Sequence, residues 1–127
     1  MVVDTSILLA VFFSARHGAW AADVLRKNAR QLRMSTVNYA EALILIEDRQ
    51  PQLAPEIRGA IRASGIRFVP PTTQQAELAA AARLRFPLNL GDCFAYALAK
   101  DEDCPVLTLD RDFSKTDIPV VTPSRAG

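Results

Sequence analysis

The sequence has little of what zinc or thiol chemistry needs. Among 127 residues there are two cysteines, Cys93 and Cys104, and one histidine, His17. The cysteines stand eleven apart, with no CxxC and no His-rich segment, which argues against a zinc site and for two reduced, mostly buried thiols. An excess of charge of one sign is also missing. Fifteen Lys/Arg against fourteen Asp/Glu leave a net charge of +1, which by itself says nothing for or against nucleic acid. No apolar run is long enough to span a bilayer. The N-terminal run has no basic segment before it and carries a carboxylate at position 4, so it does not read as a signal peptide. There is no repeat, low-complexity stretch or linker. What is present is an ordinary globular balance, half apolar and 23% charged. It reads as one cytoplasmic domain, residues 1–127, with the last few residues frayed.

Along the chain, strand and helix patterns alternate. Val2 to Val11 reads as a strand running into a helix start or a turn. Gly18 to Arg30 is helical, with Trp20, Val24 and Leu32 as core contacts. "LRMS" is a short strand. "STVNYAEALILIEDR" is a clear helix, capped by Ser35 or Thr36 and ended at Gln50-Pro51. A helix from about Leu53 to Ala63 stops at Gly65. "IRFV" is a strand, "TTQQAELAAAARLR" a Thr-capped helix, "GDCFAYALAK" another helix, "PVLTLD" a buried strand and "IPVV" an edge strand. This order predicts an α/β fold, a central parallel sheet of four to five short strands with helices on both faces.

Several carboxylates sit where a solvated acid is not expected. Asp4 interrupts an apolar strand, with Thr5 and Ser6 beside it. Glu41 falls between Ile44 and Leu45 on the apolar arc of its helix, one turn after Val37, where an unpaired charge is costly. Asp92 follows Gly91 at a helix start, a position that a simple cap would also explain. Asp110 and Asp112 close the last core strand and, on an extended chain, point to one side. In an open parallel sheet, ligands bind outside the carboxyl ends of the strands. Asp4, Asp92, Asp110 and Asp112 can converge there. Carboxylates sharing one cleft repel each other and cannot all ionise unaided. Oxygen-only ligands select Mg2+ or Mn2+ rather than zinc. Such a centre can activate water for in-line attack on a phosphodiester. Thr5, Ser6, Asn38 and Thr108 are placed to orient ligands or water.

Four blocks, "VVDTSILLA", "STVNYAEALILIEDR", "LNLGDCFAYALAK" and "PVLTLDRDFSKTDI", resemble PIN-domain nucleases, and more narrowly the VapC toxins of type II toxin–antitoxin pairs. The resemblance runs from residue 2 to about residue 118. It implies a PIN-like three-layer α/β/α fold and the acidic residues Asp4, Glu41, Asp92 and Asp112. The fourth acid of the family usually precedes a Phe, which ranks Asp112 above Asp110 and keeps both. Asp117 falls in a family-like stretch with no defined role. The resemblance further implies an endoribonuclease dependent on Mg2+ or Mn2+, structured RNA such as tRNA or rRNA as substrate, a homodimer, and a VapB-like antitoxin partner. One departure concerns the loop that often precedes "LNLGD" and is rich in Gly and Lys/Arg. Such loops can contact RNA; it is shortened here, which leaves Arg83 and Arg85, just upstream of Asp92, as the candidate RNA-binding residues.

Setting aside Asp4, Glu41, Asp92, Asp110 and Asp112 leaves nine acids against fifteen bases, or +6. Arg26, Lys27, Arg30 and Arg33 read as one basic cluster, and Arg58, Arg62 and Arg67 as another. Trp20 and Tyr39 could stack on bases or pack in the core. His17, in a polar loop, reads as a surface residue. Leu43 and Ile46 lie off the Val37–Ile44 arc and are expected to meet a second copy or an antitoxin helix. Two rival functions remain. One is a Mg-dependent phosphatase, which Ser6 disfavours because the haloacid-dehalogenase type needs an Asp two residues after its nucleophile. The other is a non-catalytic RNA-binding or regulatory module, weighed above a receiver-type signalling domain.

Overall fold

The structure, a computed structural model, describes residues 1–13 and 16–124. The residues expected to fray at the tail, 125–127, lie outside this range. Five strands form one all-parallel sheet: β1 (Val2–Val3), β2 (Arg33–Ser35), β3 (Arg67–Val69), β4 (Val106–Leu107) and β5 (Val120–Val121). Their order is β3-β2-β1-β4-β5. The helices are α1 (Thr5–Phe12), α2 (Gly18–Lys27), α3 (Thr36–Arg49), α4 (Ala54–Ala63), α5 (Thr73–Arg85) and α6 (Leu90–Asp101), and a 3-10 turn spans Arg111–Lys115.

The sheet alternation sorts the core into two layers. Val3 and Leu107 face one apolar cluster with Ile7, Leu8, Ala21, Ile46 and Ile61. Their strand neighbours Val2 and Val106 face the other, with Ala79, Ala82, Ala95, Leu98 and Phe113. Both strand faces are covered, which is why these strands are continuous apolar runs rather than alternating ones. Small residues on α5 and α6 let those two helices approach closely.

The first strand is shorter than its hydrophobicity suggests. Asp4, with φ −92° and ψ 170°, is the N-cap of α1, and its side chain accepts from the Ser6 N–H. An Asp-Thr-Ser start competes for the backbone and turns the chain helical after two strand residues. The apolar residues 7–11 are therefore core-facing helix, not strand.

The inward face of α3 also differs from its apolar arc. Its buried residues are Asn38, Ala42 and Ile46, spaced by one turn, while Ile44 is 66% exposed. Ile46 is fully buried by its own chain, so it is not left for a partner as expected, while Leu43 is half-buried and keeps part of its surface. The face turned inward carries an amide and an alanine, and counting apolar residues misses such a face.

Candidate active site

The chain runs from β1 to β2 and β3 on one side of the sheet, then returns to β4 and β5 on the other. The order reverses between β1 and β4. Loops leave this switch point in opposite directions and open a crevice at the carboxyl ends of the two strands. Asp4 follows β1 and Asp110 follows β4 by three residues, so the topology sets these acids side by side.

Asp4 is only 2% exposed, and both of its oxygens are held. Oδ1 accepts from the Ser6 N–H and hydroxyl, each at 2.6 Å, and Oδ2 accepts from the Thr108 hydroxyl. Ser6 Oγ accepts in turn from the Leu109 N–H at 2.9 Å, and Thr108 Oγ1 from the Asp110 N–H at 2.9 Å. Two hydroxyls thus tie the start of α1 to the chain leaving β4 through one carboxylate. No cation pairs with Asp4 among the described residues. Burial pushes its carboxyl up to about 6, against the pull of the three donors, and the charge of Asp110 adds to the rise.

Glu41 is placed from α3. Its Oε1 accepts from Asn38 Nδ2 at 3.0 Å and lies 3.0 Å from Thr5 Oγ1. Asn38 Nδ2 also donates to the Gly91 carbonyl at 2.9 Å, joining α3 to the start of α6. Gly91 is glycine because the Glu41 carboxylate occupies the space beside it. A Cβ at that position would lie 2.2 Å and 2.3 Å from the two carboxylate oxygens.

Asp92 is not the cap of α6. Asn89 is, accepting from the Asp92 N–H at 2.8 Å. The Asp92 carboxyl, in the first turn, is left for other work. It is raised to about 7, first by burial and then by the charges of Asp110 and Asp4 and a hydrogen bond shared with Asp110. The helix N-terminus favours the ionised form, but this does not offset three acids facing one another.

Asp110 and Asp112 do not point together as they would on an extended chain. Asp110 caps the 3-10 turn and accepts from the Asp112 N–H at 2.9 Å, while the Asp112 carboxylate lies 3.2 Å from Lys115 Nζ. The charge that acts on both Asp4 and Asp92 is that of Asp110. The structure therefore brings together Asp4, Asp92 and Asp110, with Glu41 reached through Thr5, Asn38 and Gly91. Asp112 is engaged by a lysine.

The other candidate residues are occupied in the fold to varying degrees. Asp117 accepts from the Tyr96 hydroxyl at 2.6 Å and Lys100 Nζ at 3.0 Å, which hold its carboxyl below the usual range and pin the segment before β5 to α6. Arg85 stacks on Phe86 and lies 3.9 Å from Asp117, while Arg83 is exposed. Tyr39 packs on Phe68 with ring centroids 4.4 Å apart, and Trp20 packs against the core, so neither is free to stack on a base. The basic clusters are largely neutralised. Arg26 and Lys27 pair with Asp23, Arg33 and Arg67 with Glu102, and Arg58 with Glu47.

The donor set fits a hard divalent cation. It is made of carboxylate oxygens, it carries mutual repulsion that a cation would relieve, and the buried Asn38 Oδ1 has no partner among the described residues. The acids are not closed around an ion, since no group of three potential ligands stands at metal-cage spacing among the described residues. Mg2+ needs few protein ligands and keeps several waters, so an open arrangement suits it. Sequence reasoning gave no role to Arg16 or Arg111 and read His17 as a surface residue, and the structure places all three along a cleft that Asp110 borders. The signal for Arg111 was its place between two site acids.

The PIN domain family matches residues 1–119. Ribonuclease VapC28 of Mycobacterium tuberculosis is 35% identical over 127 aligned residues, covering 93% of this chain and 95% of its own. Ribonuclease VapC of Mycolicibacterium smegmatis is 34% identical, covering 95% and 99%. The crystal structure of VapC20 from M. tuberculosis, described as a sarcin-ricin loop cleaving toxin, superposes with a TM-score of 0.81 at 20% identity, covering 96% and 98%. A toxin–antitoxin complex from Klebsiella pneumoniae gives 0.73 at 25% identity, covering 97% of each chain. This chain belongs to the PIN domain family and, within it, to the VapC ribonucleases.

Proposed function

We propose that this chain is the toxin of a type II toxin–antitoxin pair, an endoribonuclease that cuts structured RNA with the help of Mg2+ or Mn2+. The observation that carries this reading is the set Asp4, Asp92 and Asp110 at the switch point, facing one another without a paired base. Asp4 cannot rotate away, because three donors fix it. Asn38 and Thr5 aim Glu41, and Gly91 leaves room for it. Asp110 holds the fourth position better than Asp112, which Lys115 engages. The chemistry that a bound cation supplies is charge neutralisation and activation of water for in-line attack on the phosphodiester, leaving a 5′-phosphate. No helix is long and apolar enough to cross a membrane among the described residues, in keeping with a cytoplasmic site of action. Toxin–antitoxin complexes among the structural relatives support a VapB-like partner, and we include a homodimer in the reading.

The test is induced expression of the wild type, Asp4→Asn and Asp92→Asn, each checked for solubility, with growth curves and sequencing of RNA 5′ ends. Growth arrest with discrete new ends, abolished by both substitutions and, in the purified protein, by chelator, is the expected result. Arrest that survives both substitutions would point to a binding module and overturn the nuclease reading.

A further inference from the structure

We propose that the cleft formed by Arg16, His17 and Arg111 beside Asp110 binds the phosphodiester backbone of the RNA on one side of the cut, with Arg16 and Arg111 as its phosphate contacts. This rests on the nuclease reading above and adds to it where the strand lies. The cleft has a volume of about 500 Å3 and is further bounded by Leu109, Val120 and Thr122. That size is within the range of sites that hold a nucleotide-sized ligand.

Position is the first argument. Asp110 belongs both to the acid set and to the wall of the cleft. A strand whose reacting phosphate sits at the acids would pass Asp110 into the cleft, and its next phosphates would meet the arginines there. Charge is the second. Eight basic residues elsewhere, among them Arg33, Arg58 and Lys100, are paired with carboxylates. Arg16 and Arg111 have no carboxylate partner among the described residues, and Asp110 is the single acid among the lining residues. Two exposed guanidinium groups beside a carboxylate set suit an anion that must also approach a cation. Guanidinium groups match phosphate geometry with paired donors.

Backbone geometry is the third argument. His17 caps α2 with φ 69°, in the left-handed region that non-glycine residues rarely adopt, and its side chain makes no capping bond. Beside it, Gly18 lies against α1, where a Cβ would sit 2.6 Å from the Ala10 carbonyl. The chain thus seats α2 tightly on α1 and presents Arg16 and His17 at the cleft. A strained residue kept at the rim of a site is a common mark of function.

The test uses a short fluorescein-labelled single-stranded RNA and the full chain carrying Asp92→Asn, so that binding is read without cleavage. Kd is measured between about 50 and 200 mM salt, with and without Arg16→Gln plus Arg111→Gln. Loss of two phosphate contacts on a single strand predicts a salt slope shallower by about 1.4 and a Kd raised about tenfold or more. Arg16→Lys plus Arg111→Lys should recover most of the binding, and Arg30→Gln plus Arg62→Gln should change neither quantity. In the Asp92-intact chain the cleft pair should raise KM with little change in kcat, and thermal melts should match the wild type. Unchanged Kd and slope, in a wild type that does cut RNA, overturn the cleft assignment alone. Loss of antitoxin binding with RNA parameters intact also overturns it and gives the cleft to the protein partner. A wild type that leaves total tRNA and rRNA uncut, with and without Mg2+ or Mn2+, defeats the nuclease reading itself.

Discussion

At the amino end of the sheet, Glu102 lies 2.9 Å from Arg67 and 3.5 Å from Arg33, and the Met1 ammonium donates to the Gln31 carbonyl at 2.7 Å. At the carboxyl end, Asp4, Asp92 and Asp110 face one another with hydroxyls and amides as their only donors among the described residues. The same side-chain types are used in opposite ways. Acids that meet bases hold strands together through paired charge, even where one oxygen of Glu102 and the Arg33 Nε are left without a partner among the described residues. Acids buried together hold protons too tightly, at about 6 for Asp4 and about 7 for Asp92, chiefly because burial disfavours the charge and secondly because neighbouring acids repel it, and they keep a standing demand for positive charge. Asp117, which meets Tyr96 and Lys100, is shifted down and belongs to the first kind.

Substitutions can break this contrast, and the largest effect should come from Asp92→Asn. It should remove RNA cleavage to below detection on gels of total RNA while leaving the melting temperature equal or higher, because a repelling charge is gone. Gly91→Ala should follow. The atoms nearest the added methyl are the far end of the flexible Glu41 side chain, so the fold should persist while the carboxylate is displaced, and cleavage should drop about 100-fold with a near-wild-type melt. Thr108→Val removes the donor to Asp4 Oδ2 and the acceptor for the Asp110 N–H, and should lower cleavage about 10- to 100-fold.

The next contrast is between pH values. Between the ordinary value of 3.8 and the raised values of Asp4 and Asp92, the folded chain binds more protons than the unfolded one. Stability therefore falls as pH rises through that window. The cation-free protein should melt about 5 °C lower at pH 7.5 than at pH 5. Mn2+ or Mg2+ should recover more of this at the higher pH, and Asp92→Asn should flatten the slope. The smallest effect belongs to the amino end. Glu102→Gln should cost about 1 kcal/mol of stability, read by urea melts, and leave cleavage unchanged.

Much of this was legible in the sequence because local signals and packing agreed. Ser35, Thr72 and the Gln50-Pro51 stop mark helix ends that the structure keeps. The parallel sheet follows from alternating strands and helices, and the structural relatives share it. The miss at Val2–Val11 arose because buried helix and buried strand look alike in a continuous apolar run. The capping geometry of Asp4 decided it, and that geometry is set by three-dimensional partners such as Thr108. Asp110 and Asp112 differ for a similar reason. Their spacing is informative on an extended chain, but a 3-10 turn begins between them. Arg16 and Arg111 could not be joined from sequence, since nearly the whole chain separates them and only the sheet order brings them to one cleft.

Asp4 serves twice, as the cap that starts α1 and as the most deeply buried acid of the site. Asparagine caps a helix about as well as aspartate does. The codons for the two residues differ by a single base transition. On the proposed nuclease reading, one replication error at this position is expected to disarm the toxin while keeping the helix cap. Any lineage carrying this protein keeps a permanent, one-step route to disarmament. A population that retains Asp4 does so only while the active form is worth keeping.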